Sequence, residues 1–324
     1  AASICRLAYI RKRLPRKEYT DMNEAFIHSC YQEFERTRLF ENAPMRFHTT
    51  FRIGGPADLL FYPHNTEEVR AIIQKAKHYD IPVTILGNGS NLLIRDGGIR
   101  GLVIRFSRQM SAITQEGTTL IVCSGALLKD IASFAQKKGL SGLEFACGIP
   151  GSIGGAVFMN AGAYDGEVKS VVMAVKTISP DGEVRLYSAD ELDFGYRHSV
   201  FHTNNEAICE AHLCLRTDDP SSILERMSDL NQRRESKQPL SYPSAGSTFK
   251  RPPGYFAGTL IDQTGLKGLT YGGAQVSQKH AGFIINIGGA TARDVQQLIH
   301  SVQNRVYAKH HVRLFPELRI IGEP

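Results

Sequence analysis

The chain contains no tryptophan, no Cys-x-x-Cys pair and no apolar run of the ~20 residues that a bilayer-crossing helix needs. A membrane span is therefore not expected. The cysteines, Cys5, Cys30, Cys123, Cys147, Cys209 and Cys214, are scattered and lack histidines at zinc spacing. That argues against a metal site and for reduced thiols in a cytoplasmic protein. Net positive charge is scarce beyond the N-terminal end. Of a formal net charge of +6, nearly all comes from Arg6, Arg11, Lys12, Arg13, Arg16 and Lys17, set against Glu18 alone in the same stretch. No basic surface for nucleic acid is expected, and residues 1–21 read as a basic, disordered arm. The common nucleotide motifs are missing as well. Gly87-Asn-Gly-Ser-Asn-Leu92 departs from Gly-x-Gly-x-x-Gly at Leu92, and no Gly-Lys-Ser/Thr follows it.

What is present is an ordinary globular composition, 324 residues with 42% hydrophobic and 22% charged, enough for two or three domains. Near the middle lies Gly148-Ile-Pro-Gly-Ser-Ile-Gly-Gly-Ala-Val-Phe-Met-Asn-Ala-Gly-Ala-Tyr164, rich in glycine and nearly free of charge. Glycine is kept where φ must be positive or where another group approaches bare backbone. Unpaired amides, small side chains and the Ser152 hydroxyl would suit an anion such as a diphosphate held without lysine. A packing turn explains the same composition equally well. Gly87-Asn-Gly-Ser-Asn91 follows the apolar strand expected at residues 83–86 and is a second such place, though taken alone it reads better as a turn.

In chain order, residues 22–45 read as a polar helix. Short strands are expected before Gly54-Gly55-Pro56 and at residues 59–62. A helix capped by Thr66 places Val69, Ile72, Ile73 and Ala76 on one face. Strands are expected at residues 92–94, 102–106 and 120–124, and a helix from Ala126 directs Leu127, Ile131, Phe134 and Ala135 inward. Strands at residues 171–178 and 183–187 flank the turn Ser179-Pro-Asp-Gly182, and another runs over residues 207–215. Thr217-Asp-Asp-Pro-Ser-Ser222 marks a boundary. Beyond it come a polar helix over residues 222–236, a proline-rich loop around Ser244-Ala-Gly-Ser-Thr-Phe-Lys250, a short helix at residues 256–264 and a buried strand at residues 281–286. The last helix begins at Thr291 with Asp294 as a capping box and carries Val295, Leu298, Ile299, Val302 and Val306 inward. A strand at residues 318–321 closes the chain.

Three stretches in order, Gly87-Asn-Gly-Ser-Asn-Leu-Leu-Ile94, Gly148-Ile-Pro-Gly-Ser-Ile-Gly-Gly155 and Ser244-Ala-Gly-Ser-Thr-Phe-Lys-Arg-Pro252, give the chain a family resemblance. So do Phe194-Gly-Tyr-Arg-His-Ser-Val-Phe201, Ser236-Lys-Gln-Pro-Leu240, Gly254-Tyr-Phe-Ala-Gly258, Gly272-Gly-Ala-Gln-Val-Ser277, Lys279-His-Ala-Gly-Phe283 and Pro316-Glu317. From about Arg46 to Gly322 it resembles the UDP-N-acetylenolpyruvoylglucosamine reductase (MurB) family. The resemblance implies an α+β protein with a two-subdomain FAD-binding fold of the vanillyl-alcohol-oxidase (PCMH) type and a C-terminal α+β substrate-binding domain. On that reading residues 22–106 form FAD-binding subdomain 1, residues 107–217 subdomain 2, and residues 218–324 the substrate domain. A cytoplasmic monomer is expected.

The resemblance also implies the chemistry. NADPH as co-substrate reduces FAD, and the enolpyruvyl group of UDP-N-acetylglucosamine enolpyruvate then accepts hydride, leaving charge that spreads into its carboxylate. By position, Arg197 grips that carboxylate, Glu317 adds a hydrogen bond there, and Ser247 gives a proton to the carbanionic carbon. Without the resemblance, each reads as an ordinary surface or turn residue. The cofactor positions it implies are Gly87, Asn88, Gly89, Ser90, Asn91, Leu92, Gly148, Pro150, Gly151, Ser152, Gly154, Gly155 and Asn160. Residues 87–94 hold no histidine or cysteine, so FAD is expected to bind non-covalently. Lys237, Tyr242 and His280 are the substrate-binding candidates. His280 and Arg251 depart from the glutamine and asparagine of some family members, which signals a modified substrate loop. The competing enzyme, an FAD-dependent oxidase acting on an alcohol or sugar, would call for a covalent attachment residue and no such catalytic trio.

Overall fold

A computed structural model of the chain describes residues 16–324. The basic arm expected over residues 1–21 lies outside the described residues as far as residue 15, and its remainder belongs to a helix, Arg16–Glu33. That helix buries Phe26 and Cys30 at helical spacing, with Phe34 just beyond its end. It stops well short of residue 45. Leu39–Pro44, expected to be helical, is instead a strand paired antiparallel with Pro56–Phe61. Asn42 takes a left-handed φ of 50° and Pro44 has no N–H to donate, so a helix cannot run through them.

The first sheet has the order Leu39–Pro44, Pro56–Phe61, Ile99–Arg105, Val83–Leu86, with its last three strands parallel. The crossover helix Thr66–His78 is capped by Asn65, whose side chain accepts the Glu68 N–H at 2.9 Å, one residue earlier than expected. Its buried face is Val69, Ile72, Ile73 and Ala76, as the periodicity predicts. The second sheet is antiparallel, in the order Val184–Ser188, Val172–Ile178, Ala207–Cys214, Thr119–Cys123, Ile113–Glu116. The helix Leu128–Lys137 packs on it through Leu128, Ile131, Ala132 and Ala135, a face shifted by one residue from the expected one at its start. In the third sheet Ser244–Ser247 pairs with Phe283–Asn286, which pairs in turn with Ala274–Val276. The helix Ala292–His310 covers it, and the Thr291/Asp294 capping box and all five expected core positions are present.

The chain is thus α+β, and its layers are tied across the molecule. Phe51, Ile53 and Leu93 belong to the core of the third sheet. Arg319–Ile321 returns to pair in parallel with Leu92–Ile94. The helix Pro220–Lys237, expected to open the third domain, places Ile223 and Met227 in the core of the second sheet. Among the described residues no helix is long and apolar enough to cross a membrane.

Candidate active site

Where the three layers meet, a cavity of about 860 Å³ is lined by both glycine stretches and by the start of the third sheet. The first stretch turns directly off the strand Val83–Leu86. Its amides at Asn88, Gly89 and Ser90 donate to no protein group among the described residues. Gly89 has a φ of 65°, and a Cβ there would lie 2.3 Å from the His48 carbonyl oxygen, so only glycine fits. Successive free amides around a left-handed residue form a concave anion site. Part of the second stretch is helical: Ile153–Met159 begins at Ser152, so the segment aims a short helix as well as a loop. The two stretches are joined where the Asn88 side chain donates to the Pro150 carbonyl at 2.6 Å.

Between them lies the observation that tests whether a cofactor fits. Ser152 is 2% exposed, and its Oγ has no hydrogen-bond partner among the described residues. It faces Gly87 so closely that a Cβ on Gly87 would come within 2.4 Å of it. A buried hydroxyl without a partner costs about 1–3 kcal/mol, and a phosphate oxygen in the cradle would remove that cost. The residues fit the diphosphate of a dinucleotide.

The same cavity is lined by Arg197, Glu317 and Ser247. Arg197 Nε donates to Glu317 Oε1 at 2.6 Å, and its Nη2 donates to the Gly162 carbonyl at 3.2 Å. The guanidinium is thereby fixed, with Nη1 making no hydrogen bond to the protein among the described residues. Arg197 sits in a tight turn closed by Gly195 and His198 and has a φ of 55°, a conformation that costs a non-glycine residue of order 1 kcal/mol. Such strain at a cavity wall marks a residue held for its side chain. Glu317 is located through its backbone. Its N–H donates to the Thr248 carbonyl at 2.8 Å, directly after Ser247, and its carbonyl accepts from the Asn91 side chain at 3.3 Å. Ser247 is exposed to the cavity behind Gly246, whose φ is 77°.

The structure brings together Gly87, Asn88, Gly89, Ser90, Asn91, Leu92, Pro150, Gly151, Ser152, Gly154 and Gly155 on the cavity wall, along with Arg197, Ser247 and Glu317. It does not bring Asn160 there. That side chain is buried and spent on the fold, donating to Glu167 and the Gly195 carbonyl and accepting from the Lys169 N–H. Gly148 also stands off the wall, where it leaves room for Arg234: a Cβ at Gly148 would lie 2.8 Å from Arg234 Cδ. Lys237, Tyr242 and His280 do not line the cavity. His280 Nδ1 accepts the Gly282 N–H at 3.2 Å, and burial lowers its pKa.

Two cationic wall residues go unnoticed in the sequence. Arg234 lies one helical turn before Lys237 and is pushed down in pKa by burial, with no carboxylate partner among the described residues. Arg319 lies two residues beyond Glu317, at the start of the strand Arg319–Ile321. Its guanidinium stacks 4.5 Å over Phe158, whose ring in turn stacks on His202 at 4.2 Å. The motif Arg-Glu-Ser-Lys-Gln-Pro was the available signal for Arg234; Arg319 had none, since Glu317 lies outside its strand.

Residues 57–187 match the FAD binding domain model, and residues 238–321 match the UDP-N-acetylenolpyruvoylglucosamine reductase, C-terminal domain model. The UDP-N-acetylenolpyruvoylglucosamine reductase of Clostridium botulinum (strain Hall) is 54% identical over 86% of this chain and 91% of its own length. That of Clostridium perfringens (strain SM101) is 52% identical over 87% and 92%. The crystal structure of the Thermus caldophilus enzyme (MurB) superposes with a TM-score of 0.76 at 36% identity, covering 88% of this chain and 98% of that one. With the FAD-type cradle, the trio and these similarities on the same chain, the protein belongs to the UDP-N-acetylenolpyruvoylglucosamine reductase (MurB) family.

Proposed function

We propose that the protein reduces UDP-N-acetylglucosamine enolpyruvate to UDP-N-acetylmuramate with NADPH as reductant and FAD as its non-covalently held cofactor. The product is a peptidoglycan precursor, so the protein would serve cell-wall synthesis as a cytoplasmic monomer. The observation that carries this reading is the Arg197–Glu317 pair facing, together with Ser247, the same cavity as the two glycine stretches. Among the described residues no cysteine lines that cavity. His202, which does, has its Nε2 2.9 Å from the Phe158 carbonyl and so is not free for attachment.

The amides of residues 88–90 and the Ser152 hydroxyl would hold the FAD diphosphate. FAD, when bound, supplies a two-electron carrier between dinucleotide and enolpyruvyl group. Arg197 offers its remaining N–H donors to the substrate carboxylate, already oriented by Glu317, so little reorganisation accompanies the charge that develops there. Ser247 delivers a proton to the carbon beside that carboxylate, while hydride reaches the other vinyl carbon. Arg234 and Arg319 supply fixed positive charge for the anionic parts of the substrates. Lys237, Tyr242 and His280 are assigned to the outer reach of the nucleotide sugar. The boundaries proposed for the units are residues 22–106, 107–217 and 218–324, with the helix Pro220–Lys237 docked on the middle one.

Purified protein should carry flavin absorbance and oxidise NADPH only when the enolpyruvyl sugar nucleotide is added, apart from slow leakage to oxygen. Turnover indifferent to that substrate would sink the reading.

A further inference from the structure

Outside the main cavity, a second pocket of about 500 Å³ is lined by Lys250, Arg251, Arg313, Tyr196 and Phe315, with prolines 252, 253 and 316 stiffening its rim. It contains three cations and, among the described residues, no acidic side chain. None of the three forms an ion pair among the described residues, whereas several other arginines of the chain do. Arg251 is held by stacking 4.0 Å over Phe256, and Arg313 lies 5.4 Å over Tyr307. The Tyr196 hydroxyl accepts the Arg251 N–H at 3.2 Å, and the Lys250 N–H donates to the Phe315 carbonyl at 2.8 Å, so the walls are braced against one another. Two aromatic rings remain open to solvent, Tyr196 at 54% and Phe315 at 64%.

The pocket abuts the reacting groups. Tyr196 precedes Arg197 and lies under its guanidinium at 5.1 Å, while Phe315 and Pro316 lead into Glu317. Forked cations beside exposed rings recognise a phosphate monoester attached to a nucleoside, the cations taking the dianion and a ring stacking on the base.

We infer that this pocket holds the adenosine 2′-phosphate of NADPH and sets the preference for NADPH over NADH. The inference rests on the proposed reductase reading, which makes a nicotinamide dinucleotide one of two nucleotide substrates. The 2′-phosphate is the one group that separates NADPH from NADH, and three unpartnered cations match its double charge better than a single charge on each phosphate of a diphosphate. The cations Arg234 and Arg319 of the main cavity are left for the sugar nucleotide.

The test uses the flavin-loaded protein under anaerobic conditions, following flavin bleaching against dinucleotide concentration. Arg251→Ala and Lys250→Ala should each raise the concentration of NADPH needed for half-maximal bleaching roughly tenfold, the scale of one charge-assisted hydrogen bond. The NADH value and the reoxidation by enolpyruvyl sugar nucleotide should stay as in the wild type. Adenosine 2′,5′-bisphosphate should compete with NADPH, and Arg313→Ala should weaken that competition without touching the stacked Arg251. Equal shifts for NADH and NADPH, no shift, or a shift confined to the sugar-nucleotide step with UDP as the competitor would each overturn the inference while leaving the reductase reading intact. Wild-type flavin that neither dinucleotide bleaches would overturn both.

Discussion

Replacing Ser152 by alanine should weaken FAD binding while leaving the stability of the FAD-free protein little changed. Ser152 Oγ has no protein hydrogen-bond partner among the described residues and lines the cavity, so its deletion breaks no bond within the fold. With FAD present the hydroxyl gains a partner. A hydroxyl donating to a charged phosphate contributes about 1.5–3 kcal/mol, so the dissociation constant for FAD should rise roughly 10- to 100-fold. Differential scanning fluorimetry of stripped protein and fluorescence titration with FAD read the two effects separately. Wild-type FAD affinity in Ser152→Ala would refute the placement of the diphosphate against this hydroxyl, whatever the melting temperature does.

Further outcomes follow from the same geometry. Ser247→Ala should leave NADPH reduction of the flavin at its wild-type rate and slow reoxidation by the enolpyruvyl substrate by ~10²–10⁴, read by stopped-flow absorbance; equal loss in both halves would make Ser247 a folding residue. Gly89→Ala, with a Cβ 2.3 Å from the His48 oxygen and a φ of 65°, should destabilise the fold by about 2–4 kcal/mol in urea unfolding, and a neutral result would show that the turn can re-form. His48 is depressed from its usual 6.5 to about 4 by burial and by Arg105. The folded protein therefore keeps it neutral where the unfolded chain would protonate it. The stability it contributes is full above pH 6.5 and is lost as pH falls toward 4, at most roughly 3 kcal/mol. His48→Gln should flatten that acid limb in urea midpoints measured between pH 7 and 4.5.

Helices with a single wet face were legible because their spacing is written in apolar residues: Val69 to Ala76 and Val295 to Val306 bury the expected positions. The first helix was misjudged because its polar continuation into residues 34–45 hides a strand whose only marks are Asn42 and Pro44. The proposed catalytic trio could be named only through motif likeness. Arg197, Ser247 and Glu317 come from three separate segments, and nothing in local spacing announces a pairing across 120 residues. Asn160 shows the converse: a polar residue inside a cofactor motif whose bonds all go to the fold. Arg319 was not readable by strand periodicity, since Glu317 lies before the strand that carries it. Arg234 had a signal in the neighbouring Ser-Lys-Gln-Pro motif, but its place on the cavity wall depends on where the end of a helix docks.

Asn91 ends the first glycine stretch, and its carbonyl accepts the Arg319 N–H at 3.0 Å while its side chain donates to the Glu317 carbonyl. One residue is thus bonded both to the segment that would order around a diphosphate and to the segment that presents Glu317 and Arg319. Two ligands that tighten the same hydrogen bonds share part of their free energy of binding, and the sharing is reciprocal. A sugar-nucleotide analogue should therefore tighten FAD binding by the same factor by which FAD tightens binding of the analogue, and Asn91→Ala should uncouple the two.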